Sequence, residues 1–176
     1  VLRLERGRMV DFGNRAEVLG RLGMGGRRVE FPILESSLDD LRDWVGSQFT
    51  RSTDQEFAQK AQSVAAELFQ FACQSEPKDV PRIASFYFTF VDDTRCEISM
   101  VEDLPNEVET KVARVRAKLD EDSGFLSDLP QDEASIATIA KLSERFHVRS
   151  SEEATHFTVS LNDGSGAQQA PLKRLI

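Results

Sequence analysis

IASFYFTFVDDTRCEISMV, residues 83–101, decides the fold. Phe86, Phe88 and Phe90 fall on one side of a period-two alternation, with Tyr87, Thr89 and Val91 on the other. Asp92, Asp93 and Thr94 supply a turn, and the return run sets Cys96, Ile98 and Met100 against Arg95, Glu97 and Ser99. Aromatic and β-branched residues at this density predict an antiparallel hairpin with one face buried and the other partly wet.

Upstream, Phe57, Ala61, Val64, Ala65, Leu68, Phe69 and Ala72 recur at helical spacing and predict a long helix capped by Thr53 or Asp54. Before it, Leu38, Leu41, Trp44, Val45 and Phe49 predict a shorter helix capped by Ser36 or Ser37, and residues 28–33 alternate as a short strand. Residues 13–22 read as a short helix ended by Gly23, Gly25 and Gly26. That glycine cluster lacks the phosphate-loop spacing and follows a helix, so it is a turn.

Downstream, Pro105 opens a helix whose apolar positions are Val108, Val112, Val115 and Leu119. A connection at 124–130 leads to a helix capped by Asp132, with Ile136, Ile139, Ala140, Leu142 and Phe146 on its buried face. Residues 148–149 and 155–161 form a last hairpin, and the Gly, Ser, Ala and Gln-rich tail from 162 on reads as disordered. Strands in hairpins with helices inserted between them predict an α/β (α+β) two-layer sandwich. Its sheet is mostly antiparallel, mixed, and covered on one face by helices. Three segments follow: a basic arm with a short helix at 1–27, a domain at 28–161 and a flexible tail at 162–176.

The chain has 176 residues, 40% hydrophobic and 30% charged, with a formal net charge of -8. That length and apolar content can bury a core without disulfides or metals. No run approaches the roughly 20 apolar residues of a membrane span, and residues 1–10 are too rich in Arg for a secretory signal, so a cytoplasmic chain is expected. The negative charge argues against nucleic acid as partner. Residues 1–30 nevertheless carry seven Arg against four acids, which suits an arm that meets an acidic surface or partner. Cys73 and Cys96 have apolar neighbours and no metal-ligand spacing, and are expected as buried free thiols.

The order of elements and three local motifs resemble the GHKL (histidine-kinase-like) ATPases, in particular the bacterial anti-sigma-factor serine kinases and related partner-switching regulators. The first motif is Glu67, Leu68, Phe69, Gln70, Phe71, Ala72, similar to the family's ExxxNA helix. Glu67 keeps the acid, which the resemblance implies as a general base, whereas Phe71 replaces the Asn that ligates magnesium. The second is Val101 to Pro105, similar to V-x-D-x-G: Asp103 matches the acid that binds adenine, and Pro105 replaces the glycine. The third runs from Ser135 to Phe146 and keeps the apolar register of the helix after the phosphate loop. There Ser135 stands at that loop's last glycine, and Thr155 resembles the Thr near the phosphates.

Apolar spacing kept while polar chemistry is lost implies a degenerate nucleotide site: Asp103, Ser135 and Thr155 as its vestige, no metal ligand at Phe71, and no cofactor expected. The resemblance then implies a regulatory protein-interaction module that binds a sigma-like factor or an antagonist protein, with the homodimer as the family's usual assembly. An active serine/threonine kinase binding Mg-ATP and a structural domain of a larger assembly stand as alternatives. His147, His156 and Trp44 read as ordinary surface or core residues, and Asp92, Asp93, Glu121 and Asp122 as solvated turns.

Overall fold

The computed structural model describes residues 2–5, 8–12, 27–49, 55–75, 80–102, 108–121, 129–151 and 154–164. The elements run β1 (Leu2–Glu5), β2 (Arg8–Phe12), β3 (Arg27–Pro32), a 3-10 turn (Glu35–Ser37), α1 (Leu38–Gly46), α2 (Gln55–Gln74), β4 (Ile83–Asp92), β5 (Arg95–Glu102), α3 (Val108–Glu121), α4 (Gln131–Leu142), β6 (Arg145–Ser150) and β7 (Thr155–Asn162). Strands β3 to β7 form one five-stranded sheet in the order β3-β4-β5-β7-β6, and every pairing is antiparallel. The expected mixed sheet is thus corrected: the β4–β5 and β6–β7 hairpins reverse the chain, and no described pair runs parallel. No described helix is long and apolar enough to cross a membrane.

The alternation of the central strands sorts the molecule into layers. On one sheet face Phe31, Ala84, Phe86, Phe88, Ile98, Met100, Phe157, Val159 and Phe146 join a single core with Leu41, Val45, Phe69, Phe71, Val112, Ile136 and Ile139 from the helices. Helix α2 is the keel of that core, with nine buried positions along its 20 residues. Each fully buried Leu or Phe contributes about 1.5–3 kcal/mol, so tertiary burial and not helix propensity holds α2 in place. Phe69 meets Phe31 edge-on at 6.5 Å and Phe86 at 6.1 Å, tying α2 to β3 and β4.

The second face carries Arg28, Tyr87, Ser99, Thr158 and His147 in one cross-strand row. Ser99 is 0% exposed although polar, because it is short and flanked by Tyr87 and Thr158; its hydroxyl lies 3.4 Å from that of Thr158. The Arg28 guanidinium in turn covers the Tyr87 ring at 5.6 Å.

Several boundaries differ from the sequence reading for identifiable reasons. β1 and β2 form an antiparallel hairpin inside the expected arm, where the Arg content masked an alternation of Leu2 and Leu4 with Arg3 and Glu5. The expected helix at 13–22, the Thr53 or Asp54 cap and residues 165–176 of the expected tail lie outside the described residues. Ser37 starts α1 without a side-chain cap bond, after the 3-10 turn. Pro130, not Asp132, caps α4: the Ala134 amide donates to the Pro130 carbonyl at 2.8 Å, and Asp132 pairs instead with Lys111 at 2.7 Å. Phe146 belongs to β6 and not to the preceding helix, since Ser143 turns extended and only the four-residue spacing from Leu142 imitates a helix. Phe90 is 42% exposed, where a register shift disrupts the end of β4, and packs on Phe49 and Phe88.

The two sheet edges are finished differently. At β6, helix α3 lies alongside: the Glu109 carboxylate accepts from the Ser150 amide at 2.7 Å, and Arg116 donates to the Phe146 carbonyl while stacking over its ring. These side chains occupy backbone groups that another strand would use. At β3 the finish is local, with Pro32 lacking an amide hydrogen and an Arg28–Glu30 ion pair along the strand.

Candidate functional site

Period two places Cys96, Ile98 and Met100 on the core face of β5, and the next position in that series is Glu102. Its side chain is therefore carried into the core at the strand's end, 1% exposed, between Ala84 of β4 and Thr155 of β7. Arg82, just ahead of β4 and also buried, faces it with Nη1 3.6 Å from the Glu102 carboxylate, and its other amino group donates to the Ala72 carbonyl near the end of α2. Neither Glu102 oxygen accepts a hydrogen bond among the described residues. Burial pushes the Glu102 carboxyl up to about 7, against the downward pull of the Arg82 charge. Desolvation outweighs the ion pair because the pair is long and lacks the hydrogen bonds that would compensate the loss of water.

Cys73 stands one residue beyond the carbonyl that Arg82 binds, and its thiol is raised, first by burial, then by the Glu35 charge, with Arg82 opposing and Glu102 reinforcing. Cys96 is buried and its thiol is pushed up to about 12, mainly by desolvation. At each thiol burial outweighs the nearby cation, Arg82 at Cys73 and Lys60 at Cys96, which is the reverse of a reactive thiolate's setting.

Phe71 is 1% exposed and meets Phe157 of β7 edge-on at 5.7 Å. The ring thus packs under α2 against β7, and a phenyl group offers no ligand to a hard cation. Glu67, one turn earlier on the same side of α2, is half-buried and makes no ion pair among the described residues. Ser135 is buried in α4, and its hydroxyl has no partner among the described residues. Thr155 is fully buried, its hydroxyl 3.5 Å from that of Ser150.

The structure therefore sets Phe71 against Phe157, two residues along β7 from Thr155, and sets Ser135 into the core through α4. Asp103 and Pro105 lie outside the described residues. Arg82 and Glu102 are the members that sequence reasoning missed. The signal for Glu102 was available: an acid falls at the fourth inward position of a strand whose first three are apolar. Arg82 carried no such signal, because it precedes the strand.

A groove of about 650 Å³ opens between the 3-10 turn, α1, α2 and the start of α4, lined by Glu35, Asp39, Phe69, Gln70, Cys73 and Gln131 among others. Glu67, Phe71, Ser135 and Thr155 are not among its walls. Its charged residues are both acids, which repel phosphate. Among the described residues no group of three or more His, Cys, Asp or Glu gathers to hold a metal ion. His147 and His156 both line a separate basin on the sheet face that no described helix covers. No protein-family model matches the sequence, and no curated protein matches it significantly.

Proposed function

We propose that the chain is a regulatory protein-interaction module on a degenerate histidine-kinase-like ATPase fold, working by partner switching in a bacterial cytoplasm. The observation that carries this reading is Phe71, sealed against Phe157 at the point where the resemblance assigns a magnesium ligand. The antiparallel sheet with helices packed on one face supports the same fold, and the buried Ser135 and Thr155 support its degeneracy. Residues present in this region do not fit Mg-ATP: an aromatic ring takes the metal position, and the neighbouring groove is acidic. Glu67 is therefore left with no bound nucleotide to act on. A sigma-like factor or an antagonist protein would be held by surfaces and not through a nucleotide.

Thermal melting with and without Mg-ATP tests the reading, because a ligand that binds only the folded state must stabilise it. An unchanged midpoint at millimolar ATP is expected, together with a defined complex with a sigma-like factor or antagonist of the source organism by light scattering. Saturation by ATP adds about 2.7 kcal/mol when the ligand is at a hundred times its dissociation constant, and a midpoint rise of that size would overturn the proposal.

A further inference from the structure

We propose that, at β6 and β7, the face of the sheet that no described helix covers holds a binding site for a phosphate monoester. Three cross-strand rows build it. Arg145 stands opposite Ser160, His147 opposite Thr158, and Arg149 opposite His156. All six side chains lie on the face away from the core, since Phe146, Val148, Phe157 and Val159 take the alternate positions. They line one basin of about 300 Å³ with Val148 and Glu97.

The chemistry of that basin differs from the rest of an acidic chain. Two guanidinium groups and two imidazoles meet one carboxylate, while the whole protein carries a net charge of -8. Same-side residues of β6 recur about every 6.6 Å, and facing residues on β7 stand about 5 Å away, so long Arg side chains can converge over His147. Guanidinium forks bind phosphate oxygens in pairs, and Ser160 and Thr158 hydroxyls add donors beside them. A compact group with three exposed acceptor oxygens matches such convergent donors better than the flat, two-oxygen carboxylates of an acidic peptide.

The basin is also built to stay in place. Its strand is anchored from the far side by Arg116 on the Phe146 carbonyl and by Glu109 on the Ser150 amide. Its floor is the packed core under Phe146 and Phe157. The site owes nothing to Phe71 or Glu102 on the opposite face, so it stands whether or not the regulatory reading above does.

The test is a backbone-amide NMR titration of the full chain at low salt with inorganic phosphate, O-phosphoserine, a phosphoserine peptide, its unphosphorylated form and a glutamate-rich peptide. Saturable shifts centred on β6 and β7 are expected for the three phosphate probes, weakening as salt rises. The Arg145→Ala/Arg149→Ala variant should lose about tenfold or more in affinity, since it removes both guanidinium forks and their charge-assisted bonds. A melting curve of this variant beside the parent's separates lost binding from lost folding. The Arg145→Lys/Arg149→Lys variant keeps charge without the fork and should fall between. Tighter binding of the phosphopeptide than of O-phosphoserine assigns the site to a phosphorylated protein, and equal binding assigns it to a free phosphate compound. Absence of saturable shifts, equal affinity in the double-alanine variant, or preference for the glutamate-rich peptide overturns the proposal.

Discussion

The two faces of the sheet are made from the same five strands, yet they answer to different physics. On the core face Phe71, Phe157, Arg82 and Glu102 are locked by packing, and a polar group there must find its partner inside the protein. On the outer face Arg145, His147 and Arg149 stay accessible, with solvent to hydrate them. One residue of register therefore separates a position where a change unfolds the protein from one where it alters only what the protein meets.

The largest break in this contrast is expected from Phe71→Ala. Truncating a buried ring costs about 3–5 kcal/mol in lost transfer energy and cavity, read as a drop in denaturant midpoint. A loss under 1 kcal/mol would mean that the ring is not core.

Next comes pH. Glu102 has its folded value raised from 4.5 to about 7, so between those values the folded state binds more protons than the unfolded one. Stability is then fullest below pH 4.5 for this group and declines as pH rises through 7, by about 3 kcal/mol, before levelling off. Glu102→Gln should remove that slope in unfolding curves taken across the range; an unchanged slope would assign it to other groups.

Arg82→Met sharpens the same point with a smaller effect. Removing the cation leaves a buried carboxylate, which escapes most of the cost by taking up a proton. Destabilisation of about 2 kcal/mol at alkaline pH, shrinking as the solution is acidified, is the expected outcome in parallel chemical melts. A pH-independent loss would point to the broken bond with the Ala72 carbonyl instead.

The smallest effect belongs to the outer face, where Arg145→Ala should stay within about 0.5 kcal/mol of the parent by thermal melting. A larger loss would show that the basin side chains also hold the fold.

The legibility of the chain follows the same division. The β4–β5 hairpin and α2 were readable because burial enforces a strict period on their apolar residues. The β1–β2 hairpin was missed because its alternation is short and its charge drew the reading towards an arm. At Phe146 two periods fit the same apolar spacing, and only the extended backbone at Ser143 decides between them. The candidate site was half visible: Phe71 and Thr155 stood out in the sequence, whereas the contact between Arg82 and Glu102 joins residues twenty apart and depends on the hairpin's register. The outer basin was not visible at all, since His147 and His156 become neighbours of the arginines only once β6 extends from Arg145 to Ser150.

The unequal finish of the sheet's two margins carries a last consequence. With Glu109 and Arg116 engaged along β6, a visiting strand finds the Ser150 amide and the Phe146 carbonyl already taken on that side, while β3 ends at Pro32, which has no amide hydrogen to offer. Strand addition at β6 would first have to break both of these bonds, which guards that margin of the sheet.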